Sequence, residues 1–165
     1  MRTFGAAVAL ALLSMGQAQM TTIAFAKNLH LGAGATTAVL HPVRGHALGP
    51  ALDALGSRRL YLVVRDLRTV EQPGVLYHLY LDLPAGTAVD KADPWHAGIL
   101  NFFNAPPPGA PEPEGVFQSF DVTSLVRSLR ARGQLAERVK LSIIPVGEAD
   151  PKARPTIGVV ELVAQ

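Results

Sequence analysis

The 165-residue sequence contains no cysteine, so the domain has no disulfide bond and no thiolate ligand for a metal ion. Charged residues make up only 17% of it, and no basic run is interleaved with stacking aromatic residues, so nothing in it indicates nucleic-acid binding. Beyond the N-terminus, no apolar run approaches the roughly 20 residues that a membrane span requires. Hydrophobic residues nevertheless make up 48% of the chain, which predicts one folded domain with its own core.

The N-terminus has the three parts of a secretory signal peptide. Arg2 is followed by a short apolar stretch at 4–15, and the Gly-Gln-Ala sequence at 16–18 forms a small-x-small cleavage site. We therefore predict a signal peptide at residues 1–18, cleaved before Gln19, and export to the periplasm or the extracellular space. The alternative is an uncleaved membrane anchor, which is disfavoured because the apolar stretch is too short to span a bilayer. Cleavage leaves 14 basic and 13 acidic residues, so the formal net charge falls from +2 to +1.

The pattern of apolar alternation and turn residues predicts an all-β domain. Residues 19–35 are expected to be a flexible lead-in, and residues 36–165 the folded domain. One short amphipathic helix is expected at 124–131, and five prolines at 105–115 predict an exposed loop. Stretches of alternating or continuous apolar residues predict about seven strands, at 36–41, 59–67, 75–82, 96–104, 116–122, 139–146 and 156–163. The sequence therefore predicts a jelly-roll-like antiparallel β-sandwich with one short helix.

Two of these strands are expected to pair with each other. They are the strands at 59–67 and 75–82, which alternate in hydrophobicity and are separated by a Gln-Pro-Gly turn at 72–74. The strand at 96–104 is expected to be a third core strand, which contributes Ile99, Leu100, Phe102 and Phe103.

Histidine is the residue type that a metal site would draw on here, and the chain has five. Such a site needs at least three ligands about 2 Å from one ion, commonly at i and i+4 on a helix or alternating on a strand. Only His41 and His46 are close in sequence, and both lie near a predicted loop. We therefore predict no resident metal ion or cofactor. A copper-binding alternative would use His41, His46, His78 and His96.

No arrangement of residues for catalysis is visible in the sequence. It has no cysteine nucleophile, no Gly-x-Ser-x-Gly elbow and no glycine-rich phosphate loop between a strand and a helix. We therefore predict a protein without enzymatic activity of its own. The candidate partner-binding residues are Trp95, His96 and Tyr80, because aromatic side chains are favoured at interfaces. Core packing is the alternative for Trp95, and a hydrogen bond to a neighbour at the rim of the sheet is the alternative for His78.

Several segments follow one another in an order and spacing that resembles a known family. The resemblance extends over roughly residues 36–163 and rests on the segments Tyr77-His78-Leu79-Tyr80-Leu81-Asp82-Leu83-Pro84, His96-Ala97-Gly98-Ile99-Leu100-Asn101-Phe102-Phe103-Asn104, Phe120-Asp121-Val122-Thr123-Ser124-Leu125-Val126, Lys140-Leu141-Ser142-Ile143-Ile144-Pro145-Val146 and Pro155-Thr156-Ile157-Gly158-Val159-Val160. Together they resemble the C-terminal domain of the polyphenol oxidase and tyrosinase family. One departure is that His78-Leu79 stands where that family has Phe-Asp.

The resemblance implies a jelly-roll-like sandwich that, in those oxidases, packs over the copper domain and shields its active site until it is removed. It also implies a role in maturation. We therefore expect a stand-alone exported accessory domain that acts in trans on a separately encoded, tyrosinase-like type-3 copper oxidase. Two alternatives remain open, namely a copper-handling exported protein that uses its histidines and a generic envelope module that binds sugar or protein.

Overall fold

A computed structural model of the chain describes residues 20–43, 47–111 and 116–165. Within these three stretches, nine strands carry most of the structure: β1 Thr21–His30, β2 Thr36–Val39, β3 His41–Pro42, β4 Leu60–Arg68, β5 Tyr77–Leu81, β6 His96–Leu100, β7 Val116–Asp121, β8 Lys140–Pro145 and β9 Thr156–Ala164. Two short helices, α1 Leu48–Asp53 and α2 Thr123–Ala131, and two 3₁₀ turns, Val89–Lys91 and Asp93–Trp95, connect them. In this described part, no helix combines the length and the apolarity needed to cross a membrane.

The strands form two antiparallel sheets that pack face to face. Sheet A has the order β3-β1-β9-β4-β7, and sheet B has the order β2-β8-β5-β6. Every pairing between neighbouring strands is antiparallel. The predicted all-β sandwich with a short helix is therefore confirmed, although the described residues form nine strands rather than about seven.

The core lies between the two sheets and follows the predicted alternation. Leu60, Leu62 and Val64 of β4 are buried on the inner face of sheet A. From sheet B, Tyr77 packs edge-on against Phe102, with ring centroids 5.6 Å apart. Burial of apolar side chains stabilises the fold by roughly 1.5–3 kcal/mol for each fully buried large residue, so these inner faces are the main source of stability.

The predicted flexible lead-in at 19–35 is wrong for most of its described length. Residues 21–30 form β1, which pairs with β9 along its whole length and with β3. Ile23, Ala24 and Ala26 are buried on this strand. Two of these three are alanines, which have a low β propensity. The strand forms because β9 provides a full row of hydrogen-bond partners, which local sequence does not reveal.

The predicted pairing of the strands at 59–67 and 75–82 is also wrong. The corresponding strand β4 pairs with β7 and β9 in sheet A, whereas β5 pairs with β6 and β8 in sheet B. The connection at 69–76 therefore crosses from one sheet to the other. Thr69 anchors this connection, because its buried hydroxyl donates a hydrogen bond to the carbonyl oxygen of Ala153 at 2.9 Å.

The third predicted core strand is shorter than expected. Strand β6 ends at Leu100, which is buried, as is Phe102 just beyond it. By contrast, Ile99 is 43% exposed and Phe103 is 65% exposed, so the prediction of these two as core residues is wrong. Alternation places Ile99 on the outer face of sheet B, and Phe103, an even number of residues further along, lies on the same outer side beyond the end of β6.

Regular alternation breaks in the middle of sheet A. Val64 and Leu67 on β4 are fully buried, as are Ile157 and Val160 on β9, yet the members of each pair are three residues apart. Residues on the same face of a regular strand are an even number apart, so each strand contains one additional residue at this point. Because both strands contain it at the same level, the antiparallel register continues unchanged.

The residues at the level of this break form one cross-strand row that extends over three strands. The register places Asn28 of β1 and Asp66 of β4 on either side of Gly158 of β9. Asn28 and Asp66 have positive φ angles of 55° and 54°. A Cβ atom at Gly158 would lie 2.6 Å from Cβ and Oδ2 of Asp66, so the side chain of Asp66 occupies the space directly above this glycine.

Candidate functional site

The face of sheet B that points away from the core carries three cross-strand rows. We call this surface the sheet B outer face. The strand register defines its members, which are Leu76 and Val146 in the first row, His78, Ile99 and Ile144 in the second, and Tyr80, His96 and Ser142 in the third. Two of the three predicted partner-binding residues, Tyr80 and His96, therefore lie side by side on one face of the sheet, although Tyr80 is buried there, with only 3% of its surface exposed.

Three ring side chains from the second and third rows meet on this face. Nδ1 of His78 lies 2.9 Å from Nε2 of His96, which is a hydrogen-bond distance, and the tautomers of the two rings decide which nitrogen donates. The ring of Tyr80 stacks on His78 at 6.0 Å between centroids and meets His96 edge-on at 5.4 Å. The expected hydrogen bond of His78 to a neighbour at the rim is therefore present, and its partner is His96.

Burial and nearby charges shift the pKa values of two of these side chains, His96 and Tyr80. Burial lowers the pKa of His96, and His78 lowers it further, whereas Asp93 and a backbone hydrogen bond with Gly98 act in the opposite direction. The pKa of Tyr80 is raised by burial and by the negative charge of Asp93. Both shifts favour the neutral form of the side chain, which is an uncharged imidazole for His96 and an uncharged phenol for Tyr80.

We expect the free energy of unfolding to fall as the pH drops below about 6.5, the ordinary pKa of histidine. The unfolded chain then binds a proton at His96 that the folded chain still resists, so acid favours unfolding until the lowered pKa is passed. Urea unfolding at several pH values should show this decline in the wild type and a weaker one in His96→Gln. The variant His41→Gln removes an exposed histidine of sheet A and should retain the decline. Equal pH dependence in wild type and His96→Gln would refute this assignment.

Trp95, the third predicted partner-binding residue, lies half-buried beside this face. Its ring packs against the core cluster, and the guanidinium carbon of Arg132 lies 5.8 Å from the ring centroid. Arg132 also donates to the carbonyl oxygen of Pro94 at 3.1 Å. These contacts join the second 3₁₀ turn to the end of α2, so the geometry around Trp95 is that of the core-packing alternative.

The four histidines named as candidate copper ligands do not come together. His78 and His96 are adjacent on sheet B, whereas His41 is exposed on β3, at the edge of sheet A. His46 lies outside the residues that the structure describes. Among the described residues, no group of three or more His, Cys, Asp or Glu side chains could hold a metal ion.

Apolar side chains surround the histidine pair and were not recognised from the sequence as site residues. Leu76 is 40% exposed, Ile99 43% and Val146 52%, and Ile144 between them is half-buried. A groove of about 180 Å³ borders Leu76 and extends to the exposed ring of Phe103. One feature of the sequence indicates these exposed apolar residues. Strands β5, β6 and β8 have apolar residues on both faces, although only one face packs against the core.

One protein-family model matches residues 10–165, almost the entire chain. Its description is a domain of unknown function, DUF7868. The chain belongs to the DUF7868 family. No curated protein matches the sequence.

Solved structures resemble the DUF7868 fold at low sequence identity. Recombinantly expressed latent aurone synthase, a polyphenol oxidase, matches with a TM-score of 0.51 and 11% identity, over 83% of this chain and 25% of its own. Latent apple tyrosinase matches with a TM-score of 0.48 and 17% identity, over 84% of this chain and 27% of its own. The DUF7868 chain thus spans about a quarter of the length of these proteins. The likeness to aurone synthase supports the predicted resemblance at the level of the fold.

Proposed function

We propose that this domain is a non-catalytic accessory domain that packs on a type-3 copper oxidase in trans, as a lid over its active site or as an aid to its maturation. One observation carries the proposal, namely that the sandwich resembles a quarter-length part of a latent polyphenol oxidase. The five segments that resemble the C-terminal domain of that family support the same assignment. A domain of this kind needs a surface for its oxidase rather than catalytic groups of its own.

The sheet B outer face is the surface best suited to that contact. Exposed Leu76, Ile99 and Val146 would lose water-accessible apolar area on binding, which is the main driving force of association. The His78–His96 pair lies beside these apolar residues and offers imidazole groups for hydrogen bonds, while Tyr80, only 3% exposed, supports the pair from within.

The opposite surface of the sandwich has a different character. On the outer face of sheet A, Arg65 pairs with Glu161 at 3.1 Å, and Glu161 also accepts a hydrogen bond from Thr22 at 3.0 Å. Exposed ion pairs of this kind are typical of a solvated surface and lose hydration if they are covered. We therefore assign the oxidase contact to sheet B.

The double variant Leu76→Glu with Ile99→Glu is expected to weaken binding to the oxidase at least about tenfold, because it places two charges in an apolar contact. Surface plasmon resonance against a tyrosinase-type oxidase from the same genome measures the affinity. Phenol-oxidation assays with added domain show whether binding also shields the active site. The control is Phe117→Glu, which places a charge on a still more exposed apolar position of β7 in sheet A, 63% against 40% for Leu76 and 43% for Ile99, and should leave binding unchanged.

Two results would contradict the proposal. The first is the absence of wild-type binding up to about 100 µM, which corresponds to only about 5 kcal/mol of binding free energy. The second is an equal loss of affinity in the sheet B double variant and in Phe117→Glu, which would show that no particular face is used.

A further inference from the structure

A cleft of about 720 Å³ lies on the outer face of sheet A. Its floor is formed by two neighbouring cross-strand rows of β1, β9 and β4. The strand register sets these rows as Asn28, Gly158 and Asp66, followed by His30, Thr156 and Arg68. The floor therefore coincides with the place where alternation breaks in the sheet.

The proline-rich segment at 105–111 forms one wall of the cleft, and Arg68 holds it in place. Nε of Arg68 lies 2.7 Å from Oδ1 of Asp66, and its NH1 group donates to the carbonyl oxygen of Ala110 at 3.1 Å. The amide of Thr69 donates to the carbonyl oxygen of Pro106 at 3.1 Å. With Asp66 as its counter-ion, Arg68 serves to position the wall. Pro107 and Pro108, whose φ angles are fixed by their rings, give the wall a stiff apolar surface.

Several polar groups that line the cleft have no partner within the described residues. They are the side chains of Arg154, His30, Asn28 and Thr156, for which the described part of the chain provides no hydrogen bond or ion pair. Among the described lining residues, the charge of Asp66 is matched by Arg68, so the guanidinium of Arg154 contributes a positive charge that no described carboxylate of the cleft compensates. The cleft therefore presents hydrogen-bond donors and positive charge opposite an apolar wall.

Positive φ angles are concentrated in the backbone around the cleft. Five described residues other than glycine have positive φ, and three of them line this cleft: Asn28 at 55°, Asp66 at 54° and Arg154 at 45°. Asparagine and aspartate adopt such angles readily, whereas arginine does so only where the surrounding structure imposes them, and imposed conformations of this kind cluster at ligand-binding sites. The backbone here presents two side chains without partners among the described residues, those of Asn28 and Arg154, to the same cleft.

We propose that this cleft binds a small organic carboxylate. Its carboxylate would accept hydrogen bonds from Arg154, with its planar pair of donors, and from Asn28 or Thr156. Its apolar part would pack against Pro107 and Pro108. An inorganic anion would satisfy the charge but leave the apolar wall unused. This site lies on the opposite sheet from the proposed oxidase contact and does not depend on it.

Benzoate is the probe for the test, followed by amide shifts in two-dimensional ¹⁵N nuclear magnetic resonance spectra of the domain. We expect saturable shifts at the amides of Asn28, His30 and Gly158. The variant Arg154→Asn should weaken benzoate binding about tenfold, because it removes the charge-assisted hydrogen bonds while asparagine tolerates positive φ. The control Arg138→Asn removes the same charge from an exposed position outside the cleft and should bind benzoate as the wild type does.

Three results would overturn the proposal. Shifts that increase linearly with benzoate and never saturate would show that no site exists. An equal loss of affinity in Arg154→Asn and Arg138→Asn would show that only overall charge matters. Inorganic phosphate that binds at least as tightly as benzoate would show that the apolar wall has no part in recognition.

Discussion

Replacement of Gly158 by alanine is expected to lower the free energy of unfolding by about 2 to 3 kcal/mol, as measured by urea denaturation. The new Cβ would lie 2.6 Å from both Cβ and Oδ2 of Asp66. Asp66 has little freedom to move, because its backbone has a φ of 54° and its carboxylate is held by Arg68 at 2.7 Å. The clash lies in the middle of sheet A, between its two most extensively paired strands, so relief requires a shift of the backbone.

Two substitutions of Asp66, each combined with Gly158→Ala, distinguish this clash from a general intolerance of side chains in β9. In Asp66→Gly, both clashing atoms are absent and glycine adopts the positive φ freely. Gly158→Ala should therefore lower the free energy of unfolding by less than about 1 kcal/mol in this background. In Asp66→Asn, the atoms and the tolerance of positive φ are retained, so the full loss should persist. Gly34→Ala, at a glycine with open space around it, is the control and should be nearly neutral. Equal losses in all three backgrounds at position 66 would rule out this explanation.

Gly98→Ala is expected to lower the free energy of unfolding by a similar amount, about 2 to 3 kcal/mol. Its Cβ would lie 2.3 Å from Cδ1 of Phe120 and 2.8 Å from two further ring atoms. Phe120 belongs to β7 at the edge of sheet A, whereas Gly98 belongs to β6 at the edge of sheet B. The ring therefore packs across the open side of the sandwich, and a methyl group at position 98 forces the two edges apart.

A double-mutant cycle with Phe120→Ala tests this contact. Phe120→Ala alone loses the packing of a half-buried ring, but it also empties the space that the methyl group of Gly98→Ala needs. Gly98→Ala should therefore lower the free energy of unfolding by at least about 1 kcal/mol less in that background than in the wild type, and this difference is the coupling energy. A residual loss is expected in both backgrounds, because Gly98 has a φ of 159°, which alanine adopts only at a cost. Strictly additive losses would show that Phe120 is not the obstacle and would leave the close approach of the two sheet edges without energetic support.

These two glycines belong to the segments that resemble the polyphenol oxidase C-terminal domain. Gly98 is the glycine of His-Ala-Gly, and Gly158 is the glycine of Thr-Ile-Gly. The structure provides a physical reason for each, because a neighbouring side chain occupies the space where a Cβ would be. Neither reason is visible from the sequence, since Phe120 and Asp66 are distant from their glycines along the chain.

At the candidate sites, local sequence patterns indicate individual residues but not their arrangement in the fold. Tyr80 and His96 were selected individually, as aromatic and imidazole groups suited to an interface. Their contact, and the pair formed by His78 with His96, depends on β5 and β6 lying side by side in one register. The cleft on sheet A was not predicted at all, because its floor combines residues from strands far apart in sequence, and one of those strands, β1, was expected to be a flexible lead-in.

The sequence by itself determined the class of the fold, the alternation of β4 and β5 between two opposite faces, the short helix and the absence of thiol chemistry. Each of these follows from the side-chain period of a strand or a helix, or from composition, and therefore needs only neighbouring residues. Only the tertiary structure decided which strands pair, that the chain crosses between sheets after β4, and which polar residues share a surface. The reason is that backbone hydrogen bonds between strands are nearly independent of side-chain identity, so the partner of a strand is selected by the packing of the whole sandwich.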